Sequence, residues 1–323
     1  MRRRISPASP VWAFLLAALA PAACGDSGSA TDAGADAPDA NDASDASDAS
    51  PDGADASDGV CAPTPGDSGP RFAQTDDRFE LALSAGYVQL RGRVLDGAVV
   101  AFHTEAERQG QCRLLRYQAT LCDPACEPDQ RCVASTCVAD PGLLSAGRVT
   151  LAGVQATAIA VEPSAIDDYF WDAEGSFAPG LIELSAAGDA VGAFALEACP
   201  VEAPAPAADW SAALDARGAG ADAVLAWTDA VPGARIYLRM TTGIATHGGI
   251  SPVEVECEGP DTGSLTLPGA YLDALYAQGW GCGECGDNAL YRYRAAETTA
   301  SGHTLQLRVQ SAAHFYHIGR NGH

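Results

Sequence analysis

The chain has 323 residues, 47% of them hydrophobic, which is enough for one or two folded domains. Its 42 acidic residues outnumber its 19 basic residues and give a formal net charge of −23. Proteins bind nucleic acids through Lys and Arg side chains that displace counterions from the phosphates. A chain this acidic is therefore not expected to have a nucleic-acid partner.

Residues 1–23 predict a secretory signal peptide. Three arginines follow Met1, an apolar stretch covers residues 11–20, and small residues lead to Cys24. Ala22-Ala23-Cys24 resembles the lipobox of bacterial lipoproteins, in which the cysteine becomes the lipidated first residue. The resemblance implies an exported protein whose partner is a membrane of the bacterial cell envelope, at the outer membrane or the cell surface. Cleavage to a free secreted chain is the alternative.

Residues 24–70 predict a disordered acidic linker. Asp, Ala and Ser dominate, and Asp39, Asp42, Asp45 and Asp48 recur at every third position. A segment without aromatic residues cannot bury enough apolar surface to offset the entropy lost on ordering. We interpret the segment as a spacer between membrane and folded protein. Calcium binding is the alternative, although EF-hand loops place Asp at alternate positions.

Apolar and polar residues alternate after residue 71, which predicts strands with one buried face. The alternation is clearest in residues 88–94, 235–240 and 305–310. Short strands separated by Gly, Asp and Pro turns are typical of antiparallel β-sandwiches. The sequence therefore predicts an all-β protein.

A domain boundary is predicted where prolines interrupt the strands after Cys199, because proline cannot donate a hydrogen bond to a sheet. We expect two antiparallel β-sandwich domains, at residues 71–200 and 208–320. One helix is expected at residues 268–278, where apolar residues recur at helical spacing.

Ten cysteines remain after Cys24, and an even number in an exported chain predicts disulfide bonds made in an oxidising compartment. We expect Cys257 to pair with one of the two cysteines of the Cys282–Cys285 motif. The ten cysteines are Cys61, Cys112, Cys122, Cys126, Cys132, Cys137, Cys199, Cys257, Cys282 and Cys285.

Residues 121–138 form a cysteine-rich insert in the first predicted domain. Its spacings differ from the paired C-x2-C hooks of zinc sites, so we expect disulfides and no metal. Four cysteines allow three connectivities, of which we favour Cys122–Cys132 with Cys126–Cys137. A stapled loop on a scaffold is either a recognition element or simply a rigid loop.

The Asp/Ala linker and the insert resemble uncharacterised surface lipoproteins of myxobacterial type. In the second half, residues 226–228, 255–257 and 261–268 resemble an Ig-like or fibronectin-like module. The resemblance implies a β-sandwich fold and a surface location. It implies no activity, because a fold does not determine a function.

Two short motifs suggest catalysis but lack its structural context. The motif from Cys282 to Cys285 has thioredoxin spacing, yet a predicted helix precedes it and a predicted strand follows it. Residues 66–70 resemble the nucleophile segment of trypsin-like proteases, but no barrel precedes them. We expect structural disulfides in the first case and no activity in the second.

The histidines and one aromatic run are the remaining candidates. No histidine belongs to an H-E-x-x-H pair, although a zinc site that combines His247 with a C-terminal histidine is an alternative to surface histidines. Tyr169, Phe170 and Trp171 form either a sugar-stacking platform or part of the core. The six histidines are His103, His247, His303, His314, His317 and His323.

These observations predict a non-catalytic lipoprotein without cofactor that binds extracellular protein or carbohydrate. A structural envelope component without a soluble ligand is one alternative. An extracellular hydrolase or thiol oxidoreductase is the other, and a cleft with convergent His, Asp and Glu would favour a hydrolase. Exposed aromatic side chains would favour carbohydrate binding.

Overall fold

The computed structural model describes residues 63–64, 69–72, 76–99, 101–118, 121–133, 135–242, 250–278 and 288–315, which belong to one compact unit. The predicted signal peptide, Cys24 and residues 25–59 of the linker lie outside the described residues. Two helices occur in the described ranges, α1 (Trp210–Ala216) and α2 (Gly269–Tyr276). Neither has the length and apolarity needed to cross a membrane.

Strands dominate the described residues, so the all-β class is confirmed. The largest sheet has nine strands. All neighbouring pairs in it are antiparallel except one, in which Arg78–Ser84 and His303–His314 run parallel. In spatial order these strands are β3 (His103–Gln109), β4 (Cys112–Tyr117), β15 (Val253–Pro260), β14 (Arg235–Met240), β17 (Ala289–Ala300), β18 (His303–His314), β1 (Arg78–Ser84), β2 (Tyr87–Arg93) and β9 (Tyr169–Glu174).

Two smaller sheets and one hairpin complete the strands. The four-stranded sheet contains β11 (Phe194–Ala198), β10 (Ile182–Ala186), β7 (Val149–Ala152) and β8 (Ile159–Val161). The three-stranded sheet contains β12 (Ala205–Pro206), β13 (Ala223–Thr228) and β16 (Ser264–Leu267). The hairpin β5 (Gln130–Val133) and β6 (Thr136–Ala139) lies in the cysteine-rich insert.

Two hydrophobic cores lie on the same face of the nine-stranded sheet. The first joins β1, β2, β9 and β18 to the four-stranded sheet. The second joins β4, β14, β15 and β17 to the three-stranded sheet and both helices. Strand β17 contributes Leu290 to the second core and Ala296 to the first, and residues an even number apart on a strand point to one side. The opposite face is therefore left to polar side chains.

Local sequence explains the tight packing of β1 and its neighbours. The turn between β17 and β18 is Ser301-Gly302, and both residues have positive φ, as the commonest two-residue hairpins require. On β2, Gly92 leaves room for the ring of Phe79, because a Cβ there would lie 2.3 Å from Phe79 Cδ1. Phe79 is thereby fully buried in the first core.

The predicted strands correspond to β2, β14 and β18, and the predicted helix corresponds to α2. The predicted boundary at residues 200–208 does not divide the nine-stranded sheet, which takes strands from both sides of it. Strand β1 pairs with β18, and β4 pairs with β15, so the two segments share one sheet. Alternation identifies a strand and its buried side, but it does not identify the partner strand.

Candidate ligand-binding groove

The face of the nine-stranded sheet that points away from both cores carries many charged side chains; we call it the polar face. Its two halves differ. The closed half is formed by β4, β15, β14 and β17, and the open half by β18, β1, β2 and β9. Both halves owe their polar side chains to the same alternation that builds the cores, because every second residue of each strand points outward.

Glu258 is at the centre of the closed half. Arg235 donates to it from Nε at 2.5 Å and from Nη2 at 2.9 Å, and neither side chain is exposed to solvent. The hydroxyl of Tyr293 donates to the same carboxylate at 2.7 Å. The backbone amide of Arg71 also donates to Glu258, and Arg235 donates to the carbonyl of Gly69, so residues 69–71 cover this pair.

The other carboxylates of β15 are paired in the same way. Glu256 accepts from Arg113 at 2.6 Å and from the hydroxyl of Tyr237 at 3.0 Å. Glu254 accepts from Arg239 at 2.7 Å and has a side chain only 5% exposed. Buried charges are costly unless they are paired, so this network is structural rather than a place where a ligand can bind.

Burial also changes the acidity of the tyrosines in the closed half. Loss of solvent raises the pKa of the Tyr293 hydroxyl to about 12 and raises the pKa of Tyr237 further. The guanidinium carbon of Arg308 lies 4.0 Å from the ring centroid of Tyr293 and 5.0 Å from that of Tyr237. Both phenols are therefore neutral and packed against a cation at neutral pH.

The open half contains a groove. Its central cavity has a volume of about 630 Å³ and is lined by strands β1, β2 and β9 together with residues 131 and 140–143 beside the insert. A cavity of about 340 Å³ shares Arg131 and Asp140 with it, and one of about 370 Å³ shares Glu80 and Arg91. The two smaller cavities are therefore neighbours of the central one, and we call the three together the groove. Four arginines and three carboxylates line its centre: Arg78, Arg91, Arg93, Arg131, Glu80, Asp140 and Asp168.

Three of these arginines, Arg78, Arg91 and Arg93, form what we call the arginine cluster. Arg78 and Arg93 are direct partners across the β1–β2 pair. Each has a carboxylate at 3.5 Å, on Glu80 and Asp76 respectively, and the side chain of Arg93 is 49% exposed. Like charges directly opposite one another destabilise a sheet, so the pairing of Arg78 with Arg93 by itself costs stability.

Arg91 lies beside that pair and is exposed. Its Nε donates to Gln89 at 2.7 Å, and its guanidinium carbon lies 5.8 Å from the ring centroid of Phe170. Among the described residues, no carboxylate forms a salt bridge with Arg91. Most of its five N–H donors therefore face the groove.

The aromatic run on β9 is divided between the two faces of the sheet. Tyr169 is buried in the first core, and Trp171 packs against that core. Phe170 points the other way, toward the groove, and is 53% exposed. The three rings therefore do not form a continuous platform, because neighbouring residues of a strand point to opposite faces.

Three disulfides are fully described. Cys122 pairs with Cys132, and Cys126 with Cys137, which is the connectivity favoured from the sequence. The sulfur atoms of Cys122, Cys126 and Cys137 lie within 4.8 Å of one another, but they are held in disulfides and supply no thiolate to a metal. These bonds fit an oxidising compartment.

The expectation that Cys257 pairs with Cys282 or Cys285 is wrong, since Cys257 is bonded to Cys112. Strand β15 pairs with β4, which places these two cysteines directly opposite each other with 4.0 Å between their Cα atoms. Cys199 is also disulfide-bonded. Cys61, Cys282 and Cys285 lie outside them as well.

The described histidines have separate surroundings. Nε2 of His103 lies 2.7 Å from the carbonyl oxygen of Ser251, and Nδ1 of His303 lies 3.0 Å from a carboxylate oxygen of Asp77. His314 lines the end of the groove. His247, His317 and His323 lie outside the described residues, as do residues 66–68 of the protease-like segment.

The arginine cluster was not singled out from the sequence. The only available signal was the polar side of residues 87–93, where Arg91 and Arg93 are two positions apart. No model of a known family matches the chain. A search of curated proteins likewise finds no match.

Proposed function

We propose that this protein is an envelope lipoprotein that binds extracellular carbohydrate in the groove and holds it without chemical change. The observation that carries the proposal is the groove itself, an open polar depression on the face of the sheet that contributes to neither hydrophobic core. Ligand sites are concave and carry polar groups that fix the orientation of the ligand, and the groove has both features.

The chemistry of the groove favours carbohydrate over protein. Protein interfaces depend on a central patch of buried aromatic and apolar anchors. The groove offers hydroxyl, amide and guanidinium groups instead, among them Gln89 and Tyr87, whose amide and hydroxyl are hydrogen-bonded at 2.8 Å. Phe170 adds one exposed aromatic ring, the kind of flat apolar surface on which a sugar ring can stack.

Location is part of the proposal. A lipid on Cys24 and an extended acidic spacer would hold the groove away from the membrane, as the resemblance to surface lipoproteins implies. The disulfides support an oxidising location outside the cytoplasm. Replacing Cys24 with serine (Cys24→Ser) should move the protein from the membrane fraction to the soluble fraction. If the processed Ser variant stays in the membrane fraction, lipid anchoring through Cys24 is contradicted.

The binding function is tested with the purified full chain and soluble polysaccharides. Dextran supplies a neutral polymer, and polygalacturonate and alginate supply acidic ones. We expect at least one to bind in titration calorimetry and to keep its chain length after prolonged incubation. The Phe170→Ala variant should bind it more weakly. Absence of binding by all three polymers contradicts the proposal, and shortening of a polymer would indicate a hydrolase.

A further inference from the structure

We infer that the arginine cluster selects a carboxylated sugar, so that the ligand of the groove is an acidic polysaccharide. This inference rests on the proposed function and specifies its ligand. The carboxylate would accept hydrogen bonds from Arg91 and Arg93, while the ring of the sugar lies toward Phe170.

The first argument is the geometry of the cluster. Arg91 and Arg93 are two residues apart on β2, so their side chains leave the same face of the strand about 7 Å apart. Arg78 stands directly opposite Arg93 on β1. Arg91 and Arg93 both line the central cavity, and a guanidinium group is a planar fork that can bind a carboxylate with two hydrogen bonds.

The second argument is the stability cost of this arrangement. Arg78 and Arg93 stand directly opposite each other, and like charges in that position raise the free energy of the unliganded sheet. Glu80 and Asp76 offset part of this cost at 3.5 Å from Arg78 and Arg93. A bound carboxylate beside Arg91 and Arg93 would offset more of it.

The rest of the protein repels an acidic ligand, since the formal net charge is −23. At an ionic strength of 0.15 M the screening length is about 8 Å, so distant carboxylates act weakly while direct contacts in the groove persist. Binding should therefore depend on the arginine cluster rather than on the general charge of the surface.

An acidic peptide is the other anion that could reach the cluster, and the floor of the groove argues against it. The floor is the face of a sheet whose backbone groups are paired between β1, β2 and β9. A peptide commonly gains affinity by adding a strand to an open edge or by filling apolar pockets. The groove is instead lined by polar side chains such as Gln89, which is hydrogen-bonded to Tyr87 and Arg91.

The test measures binding of the full chain to polygalacturonate, alginate, dextran and poly-L-glutamate at 0.15 M salt. We expect the acidic polysaccharides to bind at least tenfold more tightly than dextran. In the double variant Arg91→Gln/Arg93→Gln, their affinity should fall at least tenfold. The variant Arg148→Gln is the matched control, because Arg148 is 62% exposed, pairs with Glu162 and lies outside the groove.

Thermal unfolding of each variant shows whether a loss of binding reflects a loss of folded protein. Equal binding of dextran and the acidic polymers overturns this inference and leaves the proposed function intact. Tighter binding of poly-L-glutamate than of the polysaccharides overturns it in favour of an acidic peptide. Equal affinity losses in the double variant and in Arg148→Gln also overturn it. Absence of binding by every polysaccharide overturns both proposals.

Discussion

The closed and open halves of the polar face use arginine in opposite ways. In the closed half, Arg113 stands directly opposite Glu256, and the two form a salt bridge. In the open half, Arg78 stands directly opposite Arg93. A charge matched across strands stabilises a sheet, whereas like charges directly opposite each other destabilise it. The residue opposite therefore distinguishes Arg113, which belongs to a structural ion pair, from Arg78 and Arg93, while Arg91 stands opposite Glu80.

The variant Glu258→Gln should destabilise the closed half most strongly. The variant keeps the size of the side chain but leaves Arg235 buried without a countercharge. Removing one partner of a buried ion pair costs about 3–5 kcal/mol, so we expect the free energy of unfolding to fall by that amount. Urea denaturation measures it.

The exposed pair Arg148–Glu162 supplies the control, since both side chains are more than half exposed. The variant Glu162→Gln should change the free energy of unfolding by less than about 0.5 kcal/mol. Similar effects of Glu258→Gln and Glu162→Gln would show that the closed half is not a buried network.

The disulfide beneath the closed half should contribute the next largest effect. Cys112 and Cys257 are 145 residues apart in sequence, and closing a long loop restricts the unfolded chain. The variant Cys112→Ala/Cys257→Ala should lose about 2–4 kcal/mol in urea denaturation. The insert variant Cys122→Ala/Cys132→Ala removes a bond between cysteines only 10 residues apart, so its free energy of unfolding should fall by less. The reverse order would contradict a stabilising role for the longer bridge.

A third difference between the halves concerns the loss of stability at high pH, because the closed half buries tyrosine hydroxyl groups. The pKa of Tyr293 is raised to about 12, against about 10 for an unfolded tyrosine. Between these values the folded state holds a proton that the unfolded state has lost, so stability falls as pH rises from about 10 to about 12.

The loss attributable to Tyr293 should be on the order of 2 kcal/mol, measured by urea denaturation across this range. The variant Tyr293→Phe should be less stable at neutral pH, because it lacks the hydrogen bond to Glu258, and should show a shallower decline at high pH. The chain has no lysine to titrate in this range. An unchanged slope in Tyr293→Phe would contradict the assignment.

The smallest effect should come from the open half and should have the opposite sign. Arg93→Gln removes one of two opposed arginines, so we expect the free energy of unfolding to rise by a few tenths of a kcal/mol at low salt. Arg91→Gln is the matched comparison, because Arg91 stands opposite Glu80 and its loss should be slightly destabilising. Salt should reduce both changes. If Arg93→Gln destabilises the protein as much as Arg91→Gln or more, the opposed arginines Arg78 and Arg93 do not cost stability, and that argument for a ligand site is contradicted.

Part of the groove can be predicted from the sequence and part cannot. Alternation in β2 and β9 places Arg91, Arg93 and Phe170 on the outer side of their strands. It does not bring β2 beside β9, or Arg78 opposite Arg93. Those contacts join strands far apart in the chain, whose pairing depends on register rather than on local preference.

The sequence by itself determined the all-β class, the inner and outer sides of the strands and helix α2, and it left three disulfide connectivities open in the insert. The first three are local properties, set by the period of the chain. Only the tertiary structure decided that β1 pairs with β18, that Cys257 bonds to Cys112, and that one sheet joins both segments. Many strands share the same alternation, so the choice among partners follows from which pairing buries both cores on one face.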